Sequence, residues 1–166
     1  MKRFFGLSII ISLLSSCYTL KNSAIPPELK TINVQFFENN APLVVNTLSQ
    51  TFTEALKERI RTQSRLSIVR GESDATLSGS IVGYSIAPVS IEATSGNAPP
   101  IADANKLSIT VRVKFVYDAD KKINFDENMT RFANYRGDIN PQEQSLILEI
   151  TRQLTEDIYN KAFSNW

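Results

Sequence analysis

Histidine is missing from this chain altogether. That removes the Ser-His-Asp and Cys-His arrangements of nucleophilic catalysis and any imidazole metal site. What remains for catalysis is paired carboxylates, Lys, Tyr or Ser-Lys. Cysteine is nearly missing too: a single Cys17 excludes an internal disulfide. Glycine is sparse, at 6 residues, and no Gly-rich phosphate loop follows a strand pattern. Neither calcium-type acid spacing nor an internal repeat is present. The 18 Lys and Arg nearly balance the 17 Asp and Glu, so no global charge draws the chain to nucleic acid. The longest apolar run, Phe4 to Leu14, is too short to span a bilayer.

That run lies between Lys2-Arg3 and Leu14-Ser15-Ser16-Cys17. A positive n-region, a short apolar core and a small-residue cleavage site make a secretory leader. An aliphatic residue and two small ones directly before a cysteine have the pattern of a bacterial lipobox. The alternative is an ordinary leader with a stray cysteine, but such a leader has no need of cysteine there. The expected organisation is therefore a lipoprotein signal peptide at 1–16, a lipidated N-terminus and tether at 17–29, and one domain at 30–166. Cleavage would leave a mature net charge of −1, since Lys2 and Arg3 depart. A thioether at Cys17 would consume its thiol, and acyl chains (palmitate among them) at about 0.8 kcal/mol per methylene would hold the domain on a membrane.

Beyond the Pro26-Pro27 tether, Thr31 to Phe37 alternates, with Ile32, Val34 and Phe36 on one face of a half-buried strand. The period then changes. Leu48, Phe52, Ala55, Leu56 and Ile60 form a helical stripe, with Asn46 or Thr47 as cap and Glu54, Lys57, Glu58, Arg59 and Arg61 on a solvated face. Leu66 to Val69 reads as a short strand closed by Gly71. From Asp74 to Ile86 the alternation slips beside a glycine. Either a bulge near Val82–Gly83 or burial on both faces would explain it.

Pro88 to Asn105 is a polar loop, long enough to suggest function or disorder. Leu107, Ile109, Val111, Val113, Phe115 and Tyr117 then point inward from the cleanest strand, and Phe125 to Arg136 forms a weaker one carrying Met129, Phe132 and Tyr135. In the last helix Asn140 should cap, Pro141 sits at the first position and Glu143 at the third. Its apolar face is Ile147, Ile150, Leu154 and Ile158, continuing through Ala162 and Phe163 toward Trp166. The predicted fold is α+β, a two-layer sandwich with two helices on one face of a mostly antiparallel, four- to five-stranded mixed sheet.

A polar sheet face without a catalytic constellation suits a binding or assembly module, so no enzymatic activity and no cofactor or metal is expected. Lys106, Arg112 and Lys114 share the outward face of the cleanest strand, a cationic set suited to phosphate. Equally, they could simply solubilise that face.

The ordered segments together resemble the LptE family, the lipoprotein component of the outer-membrane lipopolysaccharide translocon. The resemblance is carried by Cys17-Tyr18, Ile25-Pro26 before Lys30-Thr31-Ile32, and Leu48 to Leu56. Gly79–Tyr84 running to Pro88, Asn105 to Val111, and the tail from Gln153 to Trp166 complete it. It covers essentially the whole mature chain, by the order of its segments rather than by one diagnostic motif. It implies two helices on a four-stranded sheet, an outer-membrane location, and a plug lodged inside an LptD-like β-barrel. It also implies support of barrel assembly and delivery of lipopolysaccharide to the cell surface. Lipopolysaccharide would be bound through basic residues near one end of the sheet, for which Lys106, Arg112 and Lys114 are the candidates. Tyr18 after the lipidated cysteine is no bar to outer-membrane export. Two other readings remain: a pilotin-like or secretion-channel accessory lipoprotein, and a carboxylate-based glycan hydrolase, which needs two acids roughly 5–9.5 Å apart in a cleft.

Overall fold

The structure is a computed structural model and describes residues 25–43, 45, 47–89 and 104–164. Cys17, the leader, the tether up to residue 24, the Asn46 cap, residues 90–103 and Trp166 lie outside the described residues. In chain order come β1 (Thr31–Val34), β2 (Glu38–Asn39), α1 (Leu48–Gln63), β3 (Ser67–Ile68), β4 (Ala75–Pro88) and β5 (Ala104–Tyr117). A 3-10 turn (Lys121–Ile123), β6 (Phe125–Arg136) and α2 (Glu143–Phe163) follow.

The α+β sandwich is as expected, with six strands rather than four or five because β2 adds a two-residue ladder. The order is β3-β1-β4-β5-β6, with β2 on β4. Pairing is parallel for β1 with β3 and β4 and for β2 with β4, and antiparallel along β4–β5–β6. Register aligns Leu77, Phe115 and Phe125 in one row, and Ile81, Val111 and Met129 in another. Because side chains alternate across a strand, these rows all face the helices. The register shift falls between Ile81 and Gly83, so of the two explanations for the slipped alternation the bulge is the correct one. It lets both Ile81 and Tyr84 point into the core.

Helix α1 buries Leu48, Phe52, Leu56 and Ile60, one residue per turn on a single stripe. Helix α2 buries Ile147, Ile150, Leu154, Ile158, Ala162 and Phe163, and the Phe163 ring meets Phe115 edge-on at 5.7 Å. Arg59 departs from the solvated face expected for it. Its Nε donates to Thr155 Oγ1 and its Nη2 to Arg152 O, both at 3.2 Å, tying α1 to α2. Tyr159 of α2 donates to Gln63 O at 2.7 Å, satisfying a carbonyl at the end of α1.

Two further expectations, the buried face of the first strand and the helix caps, are corrected, and the face of Phe132 is settled. Phe36 is exposed and Phe37 is wholly buried instead. The pairing offset changes by one residue between Val34↔Leu77 and Glu38↔Ser80, so the chain bulges and the next residue turns inward. Phe132 points away from the core shared by Met129 and Tyr135, because its even position places it on the other face of β6. The caps also differ. Thr47 has helical backbone angles and makes no side-chain cap bond. Asn140 does not cap α2 either. Asp138 Oδ1 accepts from Asn140 N at 3.1 Å, making a turn, and the helix begins only at Glu143. Those hydrogen bonds hold the Asp138 carboxyl below its ordinary range.

Candidate functional site

The sheet face opposite the helices is built from alternate residues of β4, β5 and β6. Its middle is hydroxylic: Ser78, Ser80, Ser108, Thr110 and Thr130 lie there, and Thr110 Oγ1 and Thr130 Oγ1 are 2.8 Å apart. Lys106, Arg112 and Lys114 all lie on this face, flanked by the buried Leu107, Ile109, Val111, Val113 and Phe115.

They do not form one cluster. At roughly 3.3 Å per strand residue, Lys106 stands ~20 Å from Arg112, while Arg112 and Lys114 are only ~7 Å apart. Arg112 also has a partner that its sequence position concealed. Its Nε and Nη2 donate to Asp126 Oδ1 and Oδ2 at 2.8 and 3.0 Å, a bidentate pair across the β5–β6 ladder. That hydrogen bond lowers the Asp126 carboxyl and raises the Arg112 guanidinium, so both stay charged. Lys114, whose cross-strand neighbour is Asp126, reinforces the lowering. This end of the face therefore carries a net charge of one cation.

At the other end Lys106 Nζ lies 5.6 Å from the centroid of the Phe132 ring, a cation over an exposed aromatic. Arg136 shares the parity of Phe132 and Asn134, and Asn134 is the cross-strand partner of Lys106, so Arg136 joins the same end. Reasoning on one strand missed Phe132, Arg136 and Asp126. Even-numbered parity along Phe125–Arg136 was the signal for them, and it becomes usable only once the β5–β6 register is known.

This surface can donate hydrogen bonds to anions and stack an apolar or sugar ring. The carboxyls of Asp74, Asp126 and Asp138 are all held low, Asp74 by Lys30 N and the Thr31 hydroxyl and amide, the reverse of what a general acid needs. Among the described residues no group of three or more Asp, Glu, His or Cys could hold a metal ion, and no helix is long and apolar enough to cross a membrane.

No curated protein matches the chain in sequence. A minor lipoprotein from Acinetobacter baumannii has a similar structure, with a TM-score of 0.51 at 16% identity, covering 81% of this chain and 94% of that one. A hypothetical protein from Chlamydia trachomatis gives 0.54 at 8% identity, covering 82% and 99%. Rare lipoprotein B from Shewanella oneidensis gives 0.50 at 14% identity, covering 79% and 92%. At such identities these likenesses concern the fold. The family itself rests on sequence: the model of LptE, Lipopolysaccharide-assembly, matches residues 29–162, the whole span from the buried Leu29 to the last turn of α2, and the chain belongs to that family.

Proposed function

We propose that this protein is an outer-membrane lipoprotein, anchored through Cys17, that lodges in an LptD-like β-barrel, supports its assembly and helps deliver lipopolysaccharide to the cell surface. The observation that carries this reading is the family match over residues 29–162 on a domain whose open sheet face is polar and cationic. In this role the protein is an assembly factor rather than an enzyme, and it needs no cofactor. The lipobox ahead of Cys17 supplies the anchor.

Lys106, Arg112 and Lys114 meet the anionic groups of lipopolysaccharide at two stations. Lys106 with Arg136 serves one, and Lys114 beside the Arg112–Asp126 pair serves the other. The exposed Phe132 ring adds an apolar contact beside the first. Charge-assisted hydrogen bonds to phosphate are individually modest in water but add over several groups.

Replacing Lys106, Arg112 and Lys114 together with Ser tests the site. Lipopolysaccharide binding should weaken and lose salt sensitivity, while the melting temperature and barrel association stay nearly unchanged. Unaltered binding at low salt would leave these residues as a solvated strand face.

A further inference from the structure

Among the described residues strand β3 is one edge of the sheet, and only its β1 side is paired. Ser67 N donates to Lys30 O and Val69 N to Ile32 O, each at 2.9 Å. Since successive peptide groups of a strand point to opposite sides, the N–H and C=O of Ile68 face away from β1, where no further strand pairs among the described residues. Above this edge stands α1. Between them runs a groove of about 560 Å³ whose lining includes Val34, Ile68 and Val69 together with Lys57, Arg61 and Arg70. It adjoins a second cleft of about 460 Å³, which shares Leu66 and Ser67 and adds Arg65 and Lys30.

The charges here are one-sided in what they leave free. Lys57 is paired with Glu54 and Arg61 with Glu58 along α1. Among the described residues Arg65 and Arg70, which bracket β3, have no ion-pair partner. The opposite edge of the sheet differs. On β6, Arg131 is bound by Asp157 and Glu127 by Lys161, so its helix-side charges are already matched by α2.

We propose that the open edge of β3 and the groove under α1 accept an extended, acidic segment of a partner protein as an added strand. The Ile68 peptide group would supply main-chain hydrogen bonds. Side chains of the added strand on the α1 side would enter the groove beside Val34 and Ile68, and Arg65 and Arg70 would pair with carboxylates at the two ends of the segment. Strand addition matches the observations because it uses a free backbone edge, a groove beside it and cations at both ends of the edge. The groove volumes lie in the range of ordinary ligand sites.

The full isotope-labelled chain in detergent would be titrated with a capped peptide alternating Val and Asp, with its Val-Lys counterpart, and with anionic phosphatidylglycerol vesicles. The acidic peptide should bind at least tenfold more tightly than the basic one and shift amide signals from Leu66 to Arg70. Ile68→Pro removes the outward donor while sparing both bonds to β1, and should weaken binding tenfold or more. The Arg65→Glu, Arg70→Glu double variant, which touches no ladder bond, should abolish the preference for the acidic peptide even if the proline variant folds poorly. Equal affinity for the two peptides, or shifts confined to the β5–β6 face, would overturn the proposal. Vesicle binding at β3 without peptide binding would overturn it in favour of a membrane-facing surface.

Discussion

The ring of Phe37 lies over Gly79 of β4, where no side chain stands in its way. A Cβ at Gly79 would stand 2.6 Å from Phe37 Cε1 and 2.0 Å from Arg112 O on the neighbouring strand. The ring in turn packs on Phe52 of α1 at 5.2 Å between centroids, and its own backbone N–H donates to the buried Thr53 Oγ1. Gly79→Ala should therefore cost about 1–3 kcal/mol through overpacking. Adding Phe37→Leu should restore only part of the loss, since the clash with the Arg112 carbonyl persists. Urea melts of the two variants check this, and a neutral Gly79→Ala would mean the strand pair opens freely.

Thr151 presents a different imbalance. Its Oγ1 is buried and, among the described residues, has no hydrogen-bond partner. Val has the same shape without the hydroxyl, and a buried unsatisfied polar group costs on the order of 1 kcal/mol or more. Thr151→Val should raise stability by about 1 kcal/mol, measured as a higher urea midpoint at unchanged slope. A loss of stability would place an unseen partner on the hydroxyl.

Two arginines of α1 should behave in opposite ways. Arg59 is mostly buried and hydrogen-bonds α2 at Thr155 and Arg152 O, so Arg59→Ala should cost about 1–3 kcal/mol, as hydrogen bonds from a charged donor do. Arg61 holds an exposed pair with Glu58, and Arg61→Ala should fall within about 0.5 kcal/mol. Equal melting temperatures for the two variants would contradict the interhelical role of Arg59.

Asp74 ties the start of β4 to that of β1. Its Oδ2 accepts from Lys30 N at 3.0 Å, and from Thr31 N and Thr31 Oγ1 at 2.8 Å each. These bonds hold its folded-state carboxyl below the unfolded value of about 3.9, so its contribution is present above that pH and is lost as pH falls through the folded value. The melting temperature of Asp74→Asn should trail the wild type near neutral pH, and the gap should close in strong acid. A gap independent of pH would show that the ionised carboxylate is not what stabilises this junction.

The long helix and strand patterns were legible because their periods are strong, whereas the two-residue β2 has no period to read. Four-residue steps from Leu48 to Ile60 and strict alternation from Leu107 to Tyr117 leave little choice of helix or strand. The shift between Ile81 and Gly83 left its trace in the slipped alternation, but the one before Phe37 did not. Whether Phe36 or Phe37 enters the core depends on a one-residue bulge against β4, set by the room over Gly79 rather than by the strand's own alternation. The start of α2 was misread because Asp138 holds Asn140 in a turn ahead of the helix. At the candidate site, one strand's parity correctly placed Lys106, Arg112 and Lys114 on one face. The Arg112–Asp126 pair and the neighbourhood of Lys106, Phe132 and Arg136 depend on cross-strand register, which no single segment encodes.

The most direct test of the proposed role is purification of the tagged full-length chain from its own cell envelope in mild detergent, with the partners identified by mass spectrometry. A large outer-membrane β-barrel of the LptD type should copurify in stoichiometric amount, together with lipopolysaccharide. Recovery of the chain with a secretin or an inner-membrane complex, and without such a barrel, would contradict the translocon role.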